Sequence, residues 1–270
     1  MSDIGYGSLL LSGLVSLYAV VLFPLSVKQR KAAWQQSARN AILCAAALIT
    51  VAAFSLLYLL VARDFSVRYV YEHVSSYQPL VYTLSALWAG QEGSLLLWLW
   101  LLALLAASIA LRPQAWGERA WPYLVAAIAG LEVFLACLLV TQSNPFAVLD
   151  HRPAEGLGLN PLLQNLWMVI HPPVVFIGYA LYGVLFARMV AGLVSGELDA
   201  SFWAALRRWN LYGWLFLGAG ILLGAWWAYL ELGWGGYWGW DPVENTSLIP
   251  WLTGTALLHT AIAQERRDIY

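Results

Sequence analysis

Apolar stretches of about 20 residues recur along this chain, and each is long enough to cross a bilayer as a helix. Seven stand out, at roughly 5–27, 41–62, 94–111, 121–141, 173–193, 210–230 and 246–263. Inside hydrocarbon a segment must satisfy its own backbone N–H and C=O groups, so such stretches fold as helices. The expected fold class is therefore all-α, a polytopic membrane helix bundle with structured outer loops. Composition agrees: 11% of the 270 residues are charged, against roughly a quarter in a soluble domain. Met1–Ile4 carries no basic residue and Asp3 is acidic, so the first stretch is not a cleavable signal. No internal repeat, low-complexity linker or soluble domain is visible, and residues 1–270 read as one transmembrane domain.

Charge sets the expected orientation. Basic residues accumulate on the cytoplasmic side of membrane proteins. With the N-terminus outside, the cytoplasmic segments hold eleven: Lys28, Arg30, Lys31, Arg39, Arg112, Arg119, Arg188, Arg207, Arg208, Arg266 and Arg267. The outer segments hold three, Arg63, Arg68 and Arg152. The long outer loops are then 63–93, 142–172 and 231–245. The first carries tyrosines and a tryptophan, suiting a partly immersed interfacial segment. The second has the turn signals Asn144-Pro145 and Asn160-Pro161.

Residues 231–245 are the most unusual of these loops. Trp234 to Trp240 holds three tryptophans, Tyr237 and the glycines Gly235, Gly236 and Gly239. Indole faces make a flat apolar platform, and glycines let a planar ligand approach the backbone. That combination suits a porphyrin better than a sugar or a peptide. Trp226, Trp227 and Trp251 read instead as interfacial belt residues. Asp241-Pro242-Val243-Glu244 has the pattern of a capping box that starts the seventh span and fixes the loop before it.

The remaining chemistry is sparse. His171 precedes Pro172-Pro173, which read as the start of the fifth span, so its imidazole sits at the outer mouth of that helix. From there it can ligate heme iron while the indoles hold the macrocycle. His259 lies 18 residues after Asp241 on one helix, roughly 27 Å deeper, beyond reach of the tryptophan loop. It either binds a second heme or is a histidine favoured near a helix C-terminus. His73 and His151 read as surface residues. Glu132, in the middle of the fourth span, is either a proton relay or a protonated bundle residue. Cys44 and Cys137 lie in apolar runs and read as small buried hydrophobes rather than a disulfide or metal site. A net charge of −1 offers nucleic acid nothing. No phosphate-binding glycine loop, nucleophile elbow or zinc spacing is present, and no catalytic residue is evident.

Trp234–Asn245, WGGYWGWDPVEN, resembles the tryptophan-rich WWD signature of heme-handling membrane proteins of cytochrome c maturation. ALWAGQEGSLLLW (Ala86–Trp98), SNPF (Ser143–Phe146), LNPLLQN (Leu159–Asn165), IHPP (Ile170–Pro173) and the block Trp226–His259 are similar, in this order, to the CcmF-type cytochrome c heme lyases. The variant WDPVEN, followed by a histidine-bearing span, is closer to that family than to its smaller relative CcmC.

The resemblance implies a multi-pass protein of the bacterial inner membrane whose WWD loop faces the periplasm. It implies acceptance of heme, as transferred substrate, from a CcmE-like heme chaperone. It also implies thioether attachment of that heme to CxxCH of apocytochrome c, with CcmH/CcmI-like proteins delivering the polypeptide. Trp234, Gly235, Gly236, Tyr237, Trp238, Trp240, Asp241 and Glu244 would form the heme-handling loop. His171 would ligate the outer heme iron, and His259 a transmembrane heme b that passes electrons to the incoming heme. The second histidine of each pair would fall after Tyr270, so the chain is expected to be the N-terminal part of a longer protein. Two other functions are open: a heme carrier or exporter related to CcmC or the system II synthase, and a non-catalytic scaffold subunit of a membrane redox complex.

Overall fold

The computed structural model describes residues 1–231, 233 and 236–267, with side chains described up to Gln264. Over these residues the chain is helical. The helices are α1 (Ser2–Gln29), α2 (Ala32–Val61), the short α3 (Arg68–His73) and α4 (Leu80–Ser85), α5 (Gln91–Ala110), α6 (Trp121–Thr141), α7 (Leu166–Ser195), α8 (Ala200–Glu231) and α9 (Pro242–Arg267). No strand occurs among the described residues; one isolated bridge pairs Val67 with Val148. Helices α1, α2, α5, α6, α7 and α8 are each long and apolar enough to cross a membrane. The expected span at 246–263 falls within α9, a helix of 26 residues that is more polar than those six.

Helix α1 packs on α2 and α6, and α5 packs against α2, α6 and α7. Helix α7 pairs with α8, and α8 with α9. The core is therefore densest among α1, α2, α5 and α6. On α1, Ser8, Ser12 and Ser16 recur every four residues and are all buried, which puts small polar side chains on one stripe. Ser16 Oγ donates to Glu132 Oε2 at 2.7 Å. Glu132 is thus a buried bundle residue with a named hydrogen-bond donor, while its Oε1 has none. The two cysteines differ from expectation: Cys44 and Cys137 are both exposed. A helix in a bilayer has apolar surroundings on both faces, so hydrophobicity alone does not assign a thiol to the interior.

The loops 63–93 and 142–172 form a packed cap. Phe65, Val67, Tyr69, Val70 and Val74 are buried. Tyr69 donates its hydroxyl to the Ala86 carbonyl at 2.8 Å, and burial pushes its phenol well above the ordinary tyrosine range. His73 is half-buried rather than on the surface: its ring stacks on Tyr69 at 4.3 Å and Nδ1 lies 2.8 Å from the Tyr69 carbonyl. The second loop joins this cap through Leu159 N–H, which donates to Gln78 Oε1 at 3.0 Å. Arg152 pairs with Asp64 at 3.9 Å. His151 is exposed, as expected.

A candidate heme-handling site

The loop before α9 is shaped by one carboxylate. Glu244 N–H donates to Asp241 Oδ1 at 2.7 Å and Asp241 N–H to Glu244 Oε2 at 3.3 Å. This is the reciprocal capping box that the residue pattern predicts. Glu244 reaches further: Gly239 N–H donates to its Oε1 at 3.1 Å and its Oε2 at 2.8 Å. Asn245 Nδ2 holds the Trp240 carbonyl at 3.1 Å. Between these bonds Trp240 adopts φ 56°, a left-handed conformation unusual for a bulky residue. Its indole meets that of Trp238 edge to face, with centroids 5.8 Å apart.

His171 is set differently from the sequence expectation. Helix α7 starts at Leu166, capped by Asn165 Oδ1 accepting from Trp167 N–H at 2.8 Å. Pro172 and Pro173 therefore lie inside the helix, and His171 sits more than a turn beyond its start. A proline in a helix removes the bond to the carbonyl four residues back. For Pro172 that carbonyl belongs to Met168, and Trp88 Nε1 donates to it at 3.1 Å. An indole 80 residues away thus replaces the missing backbone donor, so the helix runs through a pair that reads as a helix start.

The imidazole of His171 faces α8. Its Nδ1 lies 2.8 Å from the Gly220 carbonyl. A carbonyl only accepts, so Nδ1 carries the proton and, in the neutral ring, Nε2 keeps its lone pair. Two glycines of α8 admit this contact. A Cβ on Gly220 would come within 2.5 Å of Val175 Cγ2, and one on Gly224 within 2.6 Å of His171 Cε1. The ring also lies nearly parallel to Trp227, with centroids 6.4 Å apart and planes inclined by 24°.

His171, Tyr179, Trp227, Trp238, Asp241 and Glu244 share one cavity of about 100 Å³. Four residues expected from the sequence, His171, Trp238, Asp241 and Glu244, are thus brought together. Trp238 Nε1 is buried with no hydrogen-bond partner, a donor left over at the cavity. Trp227 and Tyr179 belong to the site although neither was anticipated. Trp227, expected as a belt residue, donates from Nε1 to the Leu162 carbonyl at 3.3 Å. Trp251 stacks on Trp214 at 5.1 Å between α8 and α9. The placement of Tyr179 one turn beyond Val175 on the same α7 face is the one signal that could have found it.

The other expected residues lie elsewhere. Tyr237 stacks on Tyr229 at 4.5 Å, outside the cavity. Gly236 and Trp240 do not line it, and Trp240 is 69% exposed. Trp234 and Gly235 lie outside the described residues. His259 is exposed on α9, about 27 Å along that helix from Asp241.

The residues suit an axial imidazole ligand with aromatic walls. At about 100 Å³ the cavity is smaller than the roughly 300–1,000 Å³ of small-molecule sites. A cavity of that size has room for the edge of a large planar ligand, not for the whole of one. No group of three or more His, Cys, Asp and Glu fit to hold a metal ion occurs among the described residues.

Residues 88–269 match the family model described as cytochrome C assembly protein. The cytochrome c-type biogenesis protein CycK of Rhizobium meliloti (strain 1021) is 40% identical over 266 residues, covering 98% of this chain and 39% of that protein. The cytochrome c-type biogenesis protein CcmF of Haemophilus influenzae is 39% identical over 272 residues, covering 100% of this chain and 42% of that protein. The solved structure of a cytochrome c heme lyase CcmF superposes with a TM-score of 0.85 at 33% identity, over 100% of this chain and 43% of that one. The chain thus spans about two fifths of the length of these relatives. Both the His171 cavity and the cap formed by loops 63–93 and 142–172 lie within a fold shared over the full chain with a solved CcmF. The protein is accordingly a multi-pass membrane protein that belongs to the cytochrome C assembly family, with the CcmF-type heme lyases.

Proposed function

We propose that the protein acts in cytochrome c maturation and that its cavity receives heme as substrate, with His171 as one axial ligand. The supporting observation is the His171 Nδ1–Gly220 bond. It fixes the tautomer whose Nε2 is free to ligate, the usual way in which a second interaction orients a metal-binding histidine. Trp227 and Trp238 supply flat walls, and the leftover Trp238 N–H is available to an acceptor such as a heme carboxylate. Asp241 and Glu244 are engaged in the capping box; they hold the loop in shape rather than touch heme.

The reaction is addition of two CxxCH thiols across the two heme vinyl groups. In each addition a C–S bond forms, the vinyl C=C becomes a single bond, and the thiol proton ends on the neighbouring carbon. Reactive sulfur comes from the apocytochrome; both cysteines of this chain lie in its spans. The protein contributes placement, which makes the addition effectively intramolecular. A CcmE-like chaperone delivers heme, CcmH/CcmI-like proteins deliver the apocytochrome, and the WWD loop faces the periplasm across the inner membrane. His259, exposed on α9, would hold a transmembrane heme b together with a ligand from outside this chain. Such a heme supplies one-electron reduction when bound.

The test is a His171→Gly variant in cells that depend on this protein for a c-type cytochrome. Covalent heme in the cytochrome, read by heme stain, is expected to fall strongly, with membrane levels of the protein unchanged. Added imidazole should restore part of it. Normal covalent heme in His171→Gly cells would overturn the assignment.

A further inference from the structure

A second cavity lies at the end of the bundle opposite the tryptophan loop, about 330 Å³ in volume, between segment 114–120 and the α7–α8 connection. This is within the roughly 300–1,000 Å³ of small-molecule sites. Its wall includes Arg188 from the last turns of α7, only 5% exposed. The guanidinium stacks against Phe202 at 4.8 Å and Trp116 at 5.2 Å. Its edge is poorly satisfied: Nε has no partner, and the Nη2 bond to the Phe202 carbonyl is 3.4 Å, long for an N–H···O bond. A buried cation in that state is costly.

Two carboxylates line the same cavity; both act on Arg188 through space, but neither lies within salt-bridge distance of it. Glu197 Oε2 accepts from Ala120 N–H at 2.9 Å. Asp199 Oδ1 caps α8, accepting from Phe202 N–H at 2.8 Å and Ser201 Oγ at 2.7 Å, and these bonds hold its carboxyl below the usual range. The acids therefore close the loops, and the cations are left facing the cavity. Arg208 joins Arg188: Ser201, Ala205 and Arg208 recur at helical spacing and line the cavity from one face of α8. Arg208, Ser201 and Gln114 are exposed at its mouth.

We infer that this cavity binds a phosphate group between Arg188 and Arg208, that of a lipid headgroup in the adjacent leaflet. The planar guanidinium fork matches phosphate oxygens in pairs. The site lies at the junction of the apolar spans α7 and α8, and Leu198, between the cavity residues Glu197 and Asp199, is exposed, giving an acyl chain apolar ground. Basic pockets between transmembrane helices hold anionic headgroups in this way. The inference does not depend on the heme reading.

The experiment uses the full chain, stripped of lipid in detergent. Binding is followed by native mass spectrometry and by thermal unfolding with phosphatidylglycerol, with diacylglycerol of the same acyl chains, and with inorganic phosphate at matched ionic strength. Phosphatidylglycerol is expected to bind and to raise the melting temperature by a few degrees, and diacylglycerol to do neither. Arg188→Gln empties a buried position and threatens the fold, so the exposed Arg208→Gln is the first variant, with Arg188→Lys as the second. Arg208→Gln should weaken lipid binding roughly tenfold. An equal rise with inorganic phosphate would support the phosphate site with a soluble source. Phosphatidylglycerol acting no better than diacylglycerol, or undiminished binding in the double variant, would overturn the inference.

Discussion

The Nδ1 atom of His171 on α7 lies 2.8 Å from the Gly220 carbonyl of α8, and the imidazole rests on Gly224 one turn further on. A methyl group on Gly224 has no room, since its Cβ would fall 2.6 Å from His171 Cε1. Gly224→Ala is therefore expected to turn the ring off its seat. Small misplacements of a positioning group cost on the order of tenfold to a hundredfold in rate, and covalent cytochrome heme should fall within that range. Gly233→Ala is the control, because nothing lies within 4 Å of its added Cβ. Equal yields from the two variants would show that the seat does not matter.

Glu244 should prove more important to the loop than to the helix. Removing a cap costs about 1 kcal/mol, yet Glu244→Ala also releases Gly239 N–H, which both carboxylate oxygens hold. Hydrogen exchange at Gly239 and Asp241 should quicken in Glu244→Ala, with α1 to α6 unaffected. Unchanged exchange at Gly239 would disprove this role.

Trp88 is predicted to matter through Pro172. Trp88→Phe keeps an aromatic ring and removes the donor to the Met168 carbonyl. An orphaned buried acceptor costs about 1–3 kcal/mol. Unfolding in detergent should occur at lower temperature for Trp88→Phe, and Pro172→Ala, which restores a backbone donor, should recover part of the loss. A Trp88→Phe protein as stable as wild type would refute the account.

Glu155 gives the cap of loops 63–93 and 142–172 a pH response. Its Oε1 accepts from Ser76 N–H at 2.7 Å and Gly156 N–H at 3.1 Å, and these bonds lower its carboxyl below the ordinary range. A group whose folded value is depressed stabilises the fold above its unfolded value and loses that contribution as pH falls through the folded one. The Ser76 amide proton resonance should therefore shift as acid protonates Glu155. In Glu155→Gln the shift should be absent.

Legibility followed sequence distance. The spans were readable because a run of apolar residues is a local property, and so was the capping box, whose partners are three residues apart. The start of α7 was misread because its remedy, Trp88, lies 80 residues from Met168. The partners of Trp227 and Trp251 were hidden for the same reason: what faces an indole, here His171 and Trp214, is not a local property of the sequence. The exposed thiols of Cys44 and Cys137 show where the inside-is-apolar rule loses its force. His171 itself was signalled by the family motif more than by its position.

The glycine-mediated contact between α7 and α8 has a mechanical consequence. A Cβ on Gly178 would lie 2.9 Å from Leu217 N, and one on Gly220 3.1 Å from Val175 N, so the two backbones nearly touch along one seam. Asn165 hydrogen-bonded to Glu231 locks the end of that seam nearest the tryptophan loop. His171 and Trp227 therefore ride on a single stiff jaw and cannot be re-aimed separately. The opposing jaw, carrying Trp238, hangs from α9, which meets α8 through interdigitated Trp214 and Trp251. Any adjustment of the gap to ligands of different thickness is expected from the side that carries Trp238, the loop before α9, rather than from the α7–α8 seam.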